Sequence, residues 1–114
     1  MSRSRNAALA RWTGAAPVFA ALGDPTRLRL VARLCADGPQ SITRLTEGAK
    51  ITRQAITKHL NALAGAGLVR AHRHGRERIW ELETARLALA HRCLDQISEQ
   101  WDEALGRLKA FVEQ

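Results

Sequence analysis

Apolar and polar residues recur along this chain with a helical period over most of its length, and with a period of two in one short stretch. Leu28, Leu30, Val31, Leu34 and Cys35 form an apolar stripe. It opens on Asp24-Pro25-Thr26, an N-cap with proline at the first helical position, and closes on Gly38-Pro39, so a core helix is predicted there. Phe19 and Leu22 place a short helix before it, preceded by a further helical turn or two around Trp12. After Gly38-Pro39 a short helix carrying Leu45 is expected from about Thr43 to Gly48, capped by Ser41 or Thr43. The break at Ala49-Lys50-Ile51 is brief. Thr52 then caps a helix through ITRQAITKHLNALAGAGLV, with Ile51 as an apolar staple in front of it. On that helix Ala55, Ile56, Leu60 and Leu63 share one arc, while Arg53, Gln54, Thr57, Lys58 and Asn61 occupy the other. His59 falls on the apolar arc, where a packed histidine supporting the helix is expected rather than an exposed contact.

Gly65 and Gly67 end this helix. Leu68 to Arg73 and Glu77 to Leu82 then read as two strands joined across His74-Gly75-Arg76, a hairpin with a cationic tip. From Thr84 one helix can run to the end of the sequence, about 45 Å if unbroken. Leu87, Leu94, Trp101 and Leu108 recur on it with the spacing of a heptad, as do Ala90, Ile97, Ala104 and Phe111. The body of the domain ends near Leu82, so it leaves part of this stripe for another surface. The predicted fold is mainly α with a small β-hairpin: a dimeric winged helix-turn-helix with long N- and C-terminal flanking helices. It forms a single domain over residues 1–114, with the helix-turn-helix at about 41–64, the wing at about 68–82 and dimerisation helices at about 5–22 and 84–113. Trp12, Leu87, Leu94, Ile97, Trp101 and Leu108 are the expected dimer contacts.

Composition sharpens this picture. The chain has 114 residues, 46% hydrophobic and 25% charged, enough for one compact domain with a modest core. Its net charge of +7 is unevenly spread: residues 1–80 carry 14 Lys/Arg against 4 Asp/Glu, and residues 81–114 carry 4 against 7. A basic body points to a polyanion as partner. Two cysteines, Cys35 and Cys93, make no disulfide framework, which fits a reducing, cytoplasmic setting. The acid-free N-terminus superficially resembles a targeting segment, but Arg11 and Pro17 interrupt its apolar run, and neither a cleaved leader nor a membrane partner is expected.

A polar helix face with two cations and no acid suits the major groove of double-stranded DNA, where each base pair presents its own donors and acceptors. Arg53 matches the two acceptors of guanine, Gln54 pairs with adenine, Thr57 bonds to a base edge or touches a thymine methyl, and Asn61 extends the same face. Thr52 and Lys58 suit phosphates, Thr52 beside a helix N-terminus whose amides already favour anions. On the wing, Arg73, His74, Arg76 and Arg78 would reach the flanking backbone or the minor groove. A sequence-tolerant nucleoid- or RNA-associated basic protein is the alternative. Its usual aromatic platforms are missing, since the chain has no Tyr and its aromatics are Trp12, Phe19, Trp80, Trp101 and Phe111. An adaptor built on the last helix would leave the basic face unexplained. No nucleophile elbow, phosphate-cradling glycine loop or paired-carboxylate spacing marks an enzyme.

The segments ALGDPTRLRL, SITRL, ITRQAITKHLNALAGAGLV and HRHGRERIWEL resemble, in order and spacing, the ArsR family of bacterial winged-helix transcriptional regulators, closely over residues 17 to about 84. The resemblance implies a homodimeric repressor that binds an imperfect inverted repeat and is often released by a metal or another signal. In the family's thiol-rich metal site a C-x-C pair precedes the recognition helix; Ser41 and Thr43 stand at those positions, and hydroxyls are poor ligands for soft metals. At the family's second site, on the last helix, the matching positions are Leu89, His91, Asp102 and Leu105, only two of them ligand types. His91 and Asp95, four apart, fit a surface hydrogen bond better than a metal. Redox-sensing members carry thiols on the two helices that hold Cys35 and Cys93, but the aligned sensing position falls on Arg33. Cys35 itself lies on the apolar stripe and is expected as a small buried residue. No metal and no cofactor is therefore expected.

Overall fold

A computed structural model describes the backbone of residues 2–113 and the side chains of residues 10 and 12–113. Eight elements follow in order: α1 (Ser2–Leu22), α2 (Pro25–Asp37), β1 (Gln40–Ser41), α3 (Ile42–Thr46), α4 (Arg53–Gly65), β2 (Val69–His74), β3 (Glu77–Leu82) and α5 (Thr84–Glu113). The helix starts follow the capping residues. Asp24 accepts hydrogen bonds from the Thr26 and Arg27 amides at 2.9 and 3.0 Å, Ser41 accepts from Arg44 at 3.2 Å, and Thr52 accepts from Ala55 at 3.1 Å. Each side chain satisfies an amide that the first helical turn leaves without an internal partner.

Leu30 and Leu34 of α2, Leu45 of α3, Ile56, Leu60 and Leu63 of α4, and Trp80 of β3 meet in one core. Val18 and Ala21 of α1 and Ala90 of α5 close it from the other side. Full burial of a leucine or isoleucine contributes about 1.5–3 kcal/mol, so α4 is held by its apolar arc while its other arc stays free.

One element differs from the sequence expectation. The hairpin of β2 and β3 gains a third strand, because Gln40 and Ser41 pair antiparallel with Trp80 and Ile79, giving the order β1-β3-β2. Two residues are too few to show a period, so that strand left no sequence signal. The long N-terminal flanking helix that the sequence predicts is one helix of 21 residues that continues through Pro17. Packing decides this: Ala15, Val18 and Ala21 are buried, which offsets the missing proline amide. The Trp12 indole donates to Gln96 at 2.9 Å, whereas Pro17 and Val18 share a cleft with Arg86, so α1 and α5 run antiparallel.

Cys35 corrects another expectation. It is exposed on α2, and Cys93 of α5 is the buried thiol. Leu30 and Leu34 face the core, while Cys35, one residue beyond Leu34, is turned about 100° away. Gly67 holds φ at +77°, and a Cβ there would lie 2.9 Å from the Arg86 Cγ, so the exit from α4 accepts little but glycine. The molecule measures 66 × 29 × 20 Å with a radius of gyration of 18.7 Å. A compact chain of this length would have about 13 Å, and the excess comes from the long α5.

Candidate nucleic-acid interface

The position of α4 is set from both ends. At its start, the Arg33 guanidinium donates to the carbonyls of Leu45 at 3.0 Å and Arg44 at 2.9 Å, tying α2 to the end of α3 and so to the turn before Thr52. At its middle, half-buried His59 sits at a junction of three helices. Its Nδ1 lies 3.5 Å from an Arg27 guanidinium nitrogen and 4.0 Å from the Asp24 carboxylate. Arg27 also donates to the Ala21 carbonyl at 2.7 Å and the Ala20 carbonyl at 3.4 Å, at the end of α1. Arg27 and Arg33 are the positioning residues that the sequence pattern missed. Both lie among the polar positions of ALGDPTRLRLVARL, where a solvated arginine and a buttressing one look alike.

The outer face of α4 presents Arg53, Gln54, Lys58 and Asn61, all exposed, none with a side-chain partner among the described residues. Thr57 is half-buried, and its hydroxyl donates to the Arg53 carbonyl at 2.9 Å. That bond uses its only donor and leaves the methyl group and the acceptor lone pairs. Thr52 keeps its hydroxyl hydrogen while the oxygen caps the helix. Four dispersed donors and a methyl along one face match what a major groove presents.

On the wing, Arg73, His74, Arg76 and Arg78 are exposed around the turn at Gly75, with Arg73 opposite Arg78 in register. The Arg78 guanidinium carbon lies 4.8 Å from the centroid of the buried Trp80 ring, which holds that arginine against the sheet. Acids on and after β3 are engaged away from the tip: Glu81 and Glu83 bind Arg70 at 2.6 and 3.0 Å, and Glu81 lies 3.7 Å from His72. The Glu81 hydrogen bond, helped by the charges of Glu81 and Glu83, raises the pKa of Arg70. Glu77, opposite His74, is the acid nearest the turn.

The expected dimer residues separate into two groups. Leu87 packs half-buried against the core, and Trp12 is half-buried with its indole bonded to Gln96. Leu94, Ile97, Trp101 and Leu108 are exposed on α5, joined by Leu105, Phe111 and Val112; Trp101 exposes 63% of its surface. Among the described residues no three His, Cys, Asp or Glu side chains gather as a metal centre would require. Ser41 is buried as the α3 cap, Thr43 is exposed, and His91 lies 3.7 Å from Asp95 at the surface of α5. Among the described residues no helix is long and apolar enough to cross a membrane.

Comparison with known proteins agrees with this geometry. A family profile described as a helix-turn-helix domain matches residues 22–72. The HTH-type transcriptional regulator Rv2034 of Mycobacterium tuberculosis is 35% identical over 85 residues, covering 75% of this chain and 76% of the relative. The HTH-type transcriptional repressor SmtB of the same species is 29% identical, over 80% of this chain and 65% of that one. Among solved structures, an ArsR-like transcriptional regulator from Rhodococcus sp. RHA1 superposes with a TM-score of 0.75 at 38% identity, covering 88% of this chain and 93% of that one. With its winged helix-turn-helix, its exposed basic α4 face and these relatives, the chain belongs to the ArsR family of DNA-binding transcriptional regulators, proteins that act by binding and not by catalysis.

Proposed function

We propose that the chain works in the cytoplasm as a homodimeric repressor, setting two α4 helices into successive major grooves of an imperfect inverted repeat. The observation that carries this is the outer face of α4: four exposed polar side chains, no acid, and no partner within the described chain. Arg53 reads guanine and Gln54 reads adenine, with Asn61 beside them and the Thr57 methyl against thymine. Thr52 and Lys58 grip phosphates, and Arg73, His74, Arg76 and Arg78 extend the grip to the flanking backbone or minor groove. The exposed stripe from Leu94 to Val112 supports a second copy as its cover, with helix α1 around Trp12 completing the assembly. Such a pair sets its reading helices about 34 Å apart, one turn of DNA. Repression follows if the bound dimer occupies a promoter, and the repressor named among the relatives supports that sign.

Footprinting with the purified protein, followed by affinity measurements on the operator and on random duplex at fixed salt, tests the proposal. Arg53→Ala and Gln54→Ala are each expected to cost about 1–3 kcal/mol on the operator and to relax preference at particular base pairs. Equal losses on operator and random DNA would favour a sequence-tolerant basic protein instead.

A further inference from the structure

Between α2 and the turn that leads into α4 the fold leaves a cleft of about 440 Å³, open to solvent. Its floor is apolar, made of Leu30, Leu45 and Ile56, all buried, and Ile51 forms an exposed lip beside it. Its rim is cationic. Arg29 on α2 and Lys50 in the turn are exposed and have no ion-pair or hydrogen-bond partner among the described residues, and Arg33 forms part of the wall. Among the described residues Glu47 is the one acid on the rim. A volume of this size lies within the range of small-molecule sites, and an apolar floor with a few charged groups at its edge is their usual chemistry.

We infer that this cleft binds a small amphipathic organic anion: an aliphatic or aromatic body on the floor, and a carboxylate or similar group between Arg29 and Lys50. A neutral apolar molecule would leave both cations unanswered, and a small inorganic anion would leave the floor uncovered. An organic cation would meet three positive side chains against one negative. The site also has a lever. One wall is the turn that ends at Thr52, the cap of α4, and the other is α2, whose Arg33 holds the end of α3 through two carbonyls. A guest that wedges these walls apart tilts the start of α4 and changes how Arg53 and Gln54 meet DNA, so the anion weakens operator binding. This coupling rests on the proposed operator reading, whereas the site itself does not.

Two measurements on the full-length protein separate the two. In the first, amide NMR shifts of the free protein are followed during titration with 4-phenylbutyrate and with its uncharged amide. Saturable shifts centred on Gly48, Ala49 and Ile51 are expected for the carboxylate. The amide, and Arg29→Gln with either probe, should bind at least about tenfold more weakly, because charge-assisted contacts are the strong ones. Ala49→Trp, which fills the cleft from its rim, should abolish the shifts. Equal binding of acid and amide, or shifts centred instead on Leu94, Trp101 and Phe111 of the exposed α5 stripe, would overturn the site. In the second measurement, saturating 4-phenylbutyrate is expected to weaken operator binding by about tenfold, within the usual range of coupling between sites, with Arg29→Gln needing at least about tenfold more of it for the same effect and Ala49→Trp showing none. An unchanged operator affinity with the cleft occupied would overturn the coupling. Failure of the protein to select any operator would instead count against the proposed function, and the NMR titration would still decide the site.

Discussion

Asp24 carries more of the structure than a surface carboxylate usually does. Its carboxylate caps α2, lies near His59 of α4, and belongs to the same junction at which Arg27 binds the last carbonyls of α1. Its pKa is lowered, first by the hydrogen bond from the Arg27 amide; burial opposes this, and the Thr26 amide and the charges of Arg27 and His59 reinforce it. A carboxyl lowered on folding contributes stability that is complete above its unfolded pKa and is lost as pH falls through the folded one. We therefore expect Asp24→Ala to lower the melting temperature at neutral pH, and the gap from the native protein to narrow as pH drops below the ordinary aspartate value of 3.8. Melting curves followed by circular dichroism across that range check it, and a gap independent of pH would remove Asp24 from the account. At this scale the sequence was partly legible. Asp24, Ser41 and Thr52 announce themselves because a cap needs only local neighbours, and His59 is expected to pack because its place on the helix wheel is local too. Arg33 and Arg27 were not legible, since their partners lie 11 and 12, or 6 and 7, residues away on other elements. Cys35 was misplaced because an apolar-looking residue at the edge of a stripe reads as part of it.

Among the elements, the proposed function gives α4 and the wing separate tasks, and the wing's follows from its own charge arrangement. Glu81 and Glu83 draw Arg70, and Glu81 lies near His72, toward the base of the hairpin, which leaves Arg73, Arg76 and Arg78 near the tip with no ion pair among the described residues and Glu77 as the acid beside them. Cations placed on a tip, and not along a groove-filling helix, sense phosphate density more than base identity. Arg76→Ala is accordingly expected to weaken operator and random DNA alike, and to reduce the slope of log affinity against log salt by roughly one for each phosphate that a subunit ceases to touch. Titrations at several salt concentrations measure this directly. A weakening confined to the operator would make the wing a base reader. The hairpin was visible in the sequence because alternation around Gly75 is a strong local pattern, and α5 because its period persists for four heptads. β1 was invisible because it exists only as an addition to β3, through Gln40 and Ser41. The long α1 was visible as an N-terminal flanking helix, and the burial of Ala15, Val18 and Ala21 against other elements sustains it through Pro17.

For the whole molecule, the shape is the main fact: a compact winged body with α5 running along α1 and carrying a bare apolar stripe. Ala90 and Cys93 are spent on the chain's own packing, whereas Leu94, Trp101, Leu108 and Phe111 are not. Placing a charge in that stripe and removing its largest side chain is expected to separate the subunits. Leu94→Glu combined with Trp101→Ala should sediment as a monomer and lose operator binding, while its circular dichroism keeps a folded body with α4 untouched. A variant that remains dimeric and binds normally would place the interface elsewhere. If the bare stripe pairs two copies, as proposed, the amount of protein becomes a variable in its own right. A regulator that engages its site only as a pair fills that site, at low abundance, in proportion to the square of its own concentration, so halving the supply cuts occupancy about fourfold. A gene controlled this way would switch over a narrower window of protein abundance than a monomeric reader of equal affinity allows, and dilution by cell growth would itself act as an input.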